Sequence, residues 1–158
     1  ALSTKPGAHG LAMLPYFEGE RTPNRPDATG VFSGMTLENS NPADIARAMI
    51  EGMLAGLADA VQALIDLGVE VKRVLIIGGA AKNPAVGQIA SALFARPVLI
   101  APAGEYVADG AARQAAWALL GGKEPPLWDL GKGQEISAPA TPEVLERYRV
   151  LRDATENW

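Results

Sequence analysis

Four large apolar residues, Val74 to Ile77, run straight into Gly78 and Gly79, and Asn83 and Pro84 follow at once. A short run of branched aliphatics signals a buried strand. Asn before Pro signals a helix start: the Asn side chain accepts from an early free N–H, and Pro at the first helical position has no donor to leave unpaired. The chain therefore passes from strand to helix through GGAAKN. The alternation then repeats, with PVLIA (97–101) as a second strand, PAGEY as a turn, and Val107 to Leu120 as a helix closed by Gly121 and Gly122. Strand, helix, strand, helix in close succession predicts an α/β fold with right-handed parallel crossovers. For Gly78 and Gly79 the residues leave two readings open. Either they only make a tight turn, or they bare the backbone so that a flat or anionic group can approach without meeting a Cβ.

Upstream, Asn41 and Pro42 predict the start of another helix, with Asp44 favourable in its first turn. Ile45, Met49, Met53, Leu57 and Val61 recur four apart and read as its core-facing stripe. Beside them runs a second stripe of small residues, Ala48, Gly52, Gly56 and Ala60. Two interior glycines cost about 1 kcal/mol each against alanine, and close approach of another backbone is the expected compensation. The helix should end at Gly68. Residues 1–40 read as an extended loop segment with two short extended strips, GLAMLPYF and GVFSGMTL. Residues 41–122 form the α/β core. Residues 123–158 form a Pro/Gly-rich connector and a last helix begun by Thr141 and Pro142, with Val144, Leu145, Tyr148 and Leu151 on one side.

Bulk composition narrows the function classes. With 158 residues and 48% hydrophobic content, the chain has the size and composition of a globular domain. The net charge of −4 and pI near 5.0 weigh against a nucleic-acid partner, whose mark is a basic face. The absence of cysteine excludes disulfides and thiolate metal sites, and it fits a cytoplasmic setting. No uninterrupted apolar run approaches the ~20 residues that span a bilayer, so no membrane partner is expected. The opening ALSTKPGAHG is no signal peptide, and with no initiator Met it reads as the start of a piece of a longer chain.

Other candidate chemistry is sparse. A Walker loop is absent, and GxGxxG with its acid about 20 residues on is not matched. His9, the single histidine, reads as a solvated loop residue. Glu18, Glu20, Arg21, Arg25 and Asp27 crowd one loop and either bind phosphate or sugar hydroxyls or are simply solvated. Asp59 and Asp66 share a helix face without flanking anything evident, and Arg113 reads as a surface residue. No metal-ligand cluster and no nucleophile with its base is visible.

Several segments together resemble one family. LPYFEGERTPNRPDATGVFSGMT (14–36) is similar to the LPYLxGERTP…GxFxGLT run of the FGGY carbohydrate kinases, xylulose kinases in particular. ARAMIEGMLAGLADAVQAL, LIIGGAAKNP, ADGAARQAAWALLGG and ERYRVLRD follow in that family's order. The resemblance implies part of a ribonuclease H-like domain of the actin-like ATPase superfamily, with helices on a small mixed sheet. It implies that Gly78, Gly79, Ala80 and Asn83 lie along adenine and ribose, and that the substrates are ATP, with Mg²⁺, and a sugar. The implied reaction converts D-xylulose to xylulose 5-phosphate. GGAAKN is also similar to the turn of glycerol kinases, so ribulose, glycerol and gluconate remain alternatives. A non-catalytic α/β binding module is the reading from another class, and a dinucleotide-binding domain is weakened by the missing fingerprint. The family's phosphate loops and catalytic aspartate lie upstream in an N-terminal kinase domain, which implies no catalytic residue here and no activity of this chain by itself. The alanine-lined helix 107–120 is expected behind the cleft. Exposed apolar edges, and hence association including homodimers, are expected too.

Overall fold

Asn41 starts α1 (Pro42–Asp66) as its sequence predicts: its Oδ1 accepts from the N–H groups of Ala43 and Asp44 at 3.0 and 3.1 Å. The computed structural model describes residues 1–128, 131–156 and 158. Asp129 and Leu130, inside the expected connector, and Asn157 in the tail lie outside the described residues.

The two stripes of α1 exchange roles over much of the helix, although Ala60 is exposed and Ile45 packs on the core. Met49, Met53, Leu57 and Leu64 are all exposed, whereas Ala48, Gly52, Leu54, Ala55 and Ala58 are buried. The reason is the close approach that the interior glycines allow. β1 (Ala12–Leu14) packs across α1, and a Cβ on Gly52 would collide with the Met13 carbonyl oxygen. Gly56 similarly makes room for the Tyr148 hydroxyl, 3.1 Å from where its Cβ would stand. By length and composition α1 is also apolar enough to cross a membrane, which no uninterrupted run had foretold. Its inner face instead packs on other elements and carries an ion pair between Arg47 and Glu51.

β1 pairs antiparallel with β2 (Val31–Ser33), Met13 opposite Phe32. The second sheet holds β3 (Val74–Ile76), β4 (Val98–Ile100) and β5 (Gln134–Ile136) in that order. β3 and β4 are parallel, with Ile76 opposite Ile100; β5 is antiparallel to β4, with Gln134 opposite Ile100. The sequence reading had placed β5 within the connector. α2 (Pro84–Phe94) covers one face of β4 and β5, and α4 (Pro142–Ala154) packs on β1, α1 and α2. Leu54, Val86, Ile89, Leu93, Val98 and Val144 form the main core where these elements meet.

One expectation about burial is corrected. The strand at 73–77 is not buried: Leu75 is 47% exposed, because alternation along β3 turns Val74 and Ile76 towards the main core and Leu75 to the other face. The alanine-lined helix, α3 (Tyr106–Leu120), buries none of its residues, and Val107 is 87% exposed.

His9 is a further correction. It is held, not free in solvent: its Nδ1 lies 3.0 Å from Asp44 Oδ1. The sequence hid this partner because Asp44 stands on α1, far along the chain. The Thr4 hydroxyl also donates to Asp44, and Asn41 Nδ2 donates to it at 2.7 Å. The Thr4 hydroxyl above all, then Asn41 and His9, hold the Asp44 carboxyl at about 2 against the opposing effect of burial. A carboxyl lowered by folding contributes stability above its unfolded pKa, and that contribution is lost as pH falls through the folded value. Stability should therefore decline between about pH 4 and pH 2, and Asp44→Asn should flatten that stretch of a plot of denaturant midpoint against pH.

Candidate functional site

The parallel strands β3 and β4 both end on one side of the sheet, and the GGAAKN turn and the Ala101–Glu105 loop leave from those ends. Between them opens a cleft of about 420 Å³, within the range typical of small-molecule sites. Gly78 sits at φ 92° and ψ −176°, a conformation that is essentially restricted to glycine. A Cβ added at Gly78 or Gly79 would meet no atom within 4 Å. Tight packing does not explain Gly79. The backbone forms a bare ledge that opens on the cleft.

From Gly79 to Lys82 the turn is a short 3-10 helix, and Asn83 then caps α2, its Oδ1 accepting from the Ala85 N–H at 3.0 Å. Gly78 and Gly79 line the cleft, together with Ala81 and Lys82. Ala80 and Asn83 are exposed on the same turn but do not line it. Asn83→Ala should cost about 1 kcal/mol through the lost cap, read as a lowered denaturant midpoint.

The opposite wall is the Ala101–Glu105 loop. Tyr106 pins it by donating its hydroxyl to the Pro102 carbonyl at 2.5 Å. The cleft's polar side chains are Lys82, Glu105 and Gln134. Sequence reasoning singled out none of these for binding. Lys82 and Glu105 lay in recognisable turns, but Gln134 stood in a Gly/Pro-rich segment whose strand is too short to show a period. Glu105 precedes α3 and makes no side-chain capping bond to it.

The crowded acidic and basic loop is partly tied into the fold. Glu20 Oε1 accepts from the Arg21 and Thr22 N–H groups, and Arg25 donates to the Arg152 carbonyl at 2.6 Å near the end of α4. Asp59 pairs with Arg149 at 2.7 Å and with Arg152, joining α1 to α4. Arg113 ties α3 to the connector through the Pro126 carbonyl at 2.6 Å. Among the described residues, no group of three His, Asp or Glu side chains gathers as a cation site.

Residues 1–119 match the model of the C-terminal domain of the FGGY family of carbohydrate kinases. The chain belongs to that family. It is similar to a xylulose kinase of Streptomyces rubiginosus, 34% identical over 159 residues that cover 96% of this chain and 32% of the relative. It is also similar to a glycerol kinase of Alkalilimnicola ehrlichii, 37% identical over 148 residues that cover 92% of this chain and 28% of the relative. The crystal structure of xylulose kinase from Bifidobacterium adolescentis superposes with a TM-score of 0.80 at 45% identity, covering 96% of this chain and 30% of that one. The chain thus spans about a third of the length of the curated relatives it matches. Its helices on a small mixed sheet are those of an FGGY kinase, with the actin-like, ribonuclease H-like ATPase fold.

Proposed function

We propose that this chain is the adenine-binding portion of an ATP-dependent sugar kinase that converts D-xylulose to xylulose 5-phosphate. The observation that carries the reading is the ledge at Gly78 and Gly79, open to solvent at the carboxyl ends of two parallel strands in a chain of the FGGY family. Ligands of open α/β sheets bind beyond those strand ends. A purine can lie flat on bare backbone, where any side chain would lift it. Ala80 and Asn83 continue the same turn towards the ribose, and Asn83 keeps α2 in place behind it.

Phosphoryl transfer needs both reactants aligned and the spread charge of the phosphates neutralised by Mg²⁺ and hydrogen-bond donors. In this reading the chain holds the base end of ATP. A preceding kinase domain supplies the phosphate loops, the catalytic carboxylate and most sugar contacts, so the chain by itself transfers no phosphate. The residues described here gather no cation site, and on this reading Mg²⁺ travels with the phosphates.

A kinase for another polyol is the second reading, favoured by the likeness to a glycerol kinase at 37% identity. Calorimetric titration of the complete kinase polypeptide with a non-hydrolysable ATP analogue and with NAD tests the nucleotide. Binding of the ATP analogue alone is expected, whereas equal binding of NAD overturns the reading. Turnover on a panel of xylulose, ribulose, glycerol and gluconate then decides the acceptor.

A further inference from the structure

We propose that Gln134 reads the edge of the base and selects adenine over guanine and hypoxanthine; this rests on the adenine-cleft reading above. Because β5 runs antiparallel to β4, its first residue lies at the level where β3 and β4 end: Ile76, Ile100 and Gln134 stand opposite one another across the sheet. Two strand spacings, about 9–10 Å, separate Ile76 from Gln134 with the exit of β4 between them, and the Gly78–Gly79 ledge follows two residues after Ile76. A purine resting on the ledge can then turn its edge across the cleft towards a glutamine side chain. Gln134 lines this cleft.

The position of Gln134 is built into the backbone. A Cβ on Gly133 would stand 2.8 Å from the Ile100 carbonyl oxygen and 2.9 Å from Leu99 Cδ1. Glycine therefore lets the segment press directly on the end of β4 and sets where β5 begins.

The chemistry singles out the same residue. The N7 edge of adenine offers a 6-amino donor beside the N7 acceptor, so its complement must accept and donate in one plane. A primary amide does both. Of the polar side chains on the cleft, Lys82 only donates and an ionised Glu105 only accepts. Guanine and hypoxanthine carry a carbonyl where adenine carries its amino group. On the N7 side of that carbonyl they present two acceptors, which suit an ammonium or guanidinium instead.

The test is equilibrium binding of ATP, ITP and GTP to the complete kinase, with Gln134→Leu, Gln134→Lys and Gly79→Val. Gln134→Leu should weaken ATP about tenfold, as expected for loss of an amide–adenine pair, and leave ITP nearly unchanged. Gln134→Lys should move preference towards GTP. Gln134 is exposed at a sheet edge, and Gln134→Ala gives the same readout should the leucine variant not fold. If the ATP to ITP ratio is unchanged in the Gln134 variants while Gly79→Val weakens ATP, the role of Gln134 is overturned and the cleft stands. If Gly79→Val also leaves ATP binding intact, the cleft reading falls with it.

Discussion

Replacing Glu51 with alanine is expected to lower stability by about 3–5 kcal/mol, as removal of one partner of a buried ion pair does. Glu51 and Arg47 stand one turn apart on α1 with side chains 5% and 7% exposed, and Arg47 Nε lies 2.5 Å from Glu51 Oε1. The same oxygen accepts from the Gly7 N–H at 3.0 Å, and Arg147 donates to the Gly7 carbonyl at 3.2 Å. Without Glu51, a guanidinium and a backbone donor remain away from water with their shared partner gone. The loss is large against a total of about 5–15 kcal/mol for a typical domain. Arg47→Met with Glu51→Leu should recover most of it, because no unpaired charge is then buried. Denaturant midpoints of the two single variants and the double variant measure this. A Glu51→Ala loss under about 1 kcal/mol, the range of surface pairs, would show that the pair is effectively solvated.

Gly79→Val in the complete kinase is expected to raise the KM for ATP about tenfold or more, equivalent to at least about 1.4 kcal/mol. The KM for the sugar should stay close to that of the parent. The separation is sharp because a Cβ at this position would meet no atom of the chain within 4 Å. The new side chain would grow into the space assigned to the purine, so the melting temperature should barely move. The neighbouring glycine behaves differently. Gly78 sits at φ 92°, and a side chain there strains the backbone before any ligand arrives. Gly78→Val would thus confound binding with folding, which makes Gly79 the informative position. An unchanged KM for ATP in Gly79→Val would place the purine elsewhere.

The legible parts of this protein were those written by neighbouring residues. Asn41 with Pro42, and Asn83 with Pro84, announced α1 and α2 because a cap is made within three residues of itself. The apolar run into Gly78 and Gly79 marked both the strand and the break, since a left-handed or bare backbone position is a local steric matter. The family's short motifs were legible for the same reason. Less legible was anything decided between segments. The larger stripe of α1 looked like its inner face, yet Gly52 lets β1 approach and the helix turns Ala48 and Gly52 inward instead of Met49 and Met53. His9 looked unpartnered because Asp44 lies 35 residues away.

The residues alone therefore determined an α/β chain with a glycine break between its first parallel strand and the helix that follows, since φ/ψ limits and capping act over a few positions. Only the tertiary structure decided that β5 joins the sheet backwards and brings Gln134 to the cleft at that break. Strand pairing is a contact between distant segments, and a three-residue strand has too little pattern of its own to declare its partner.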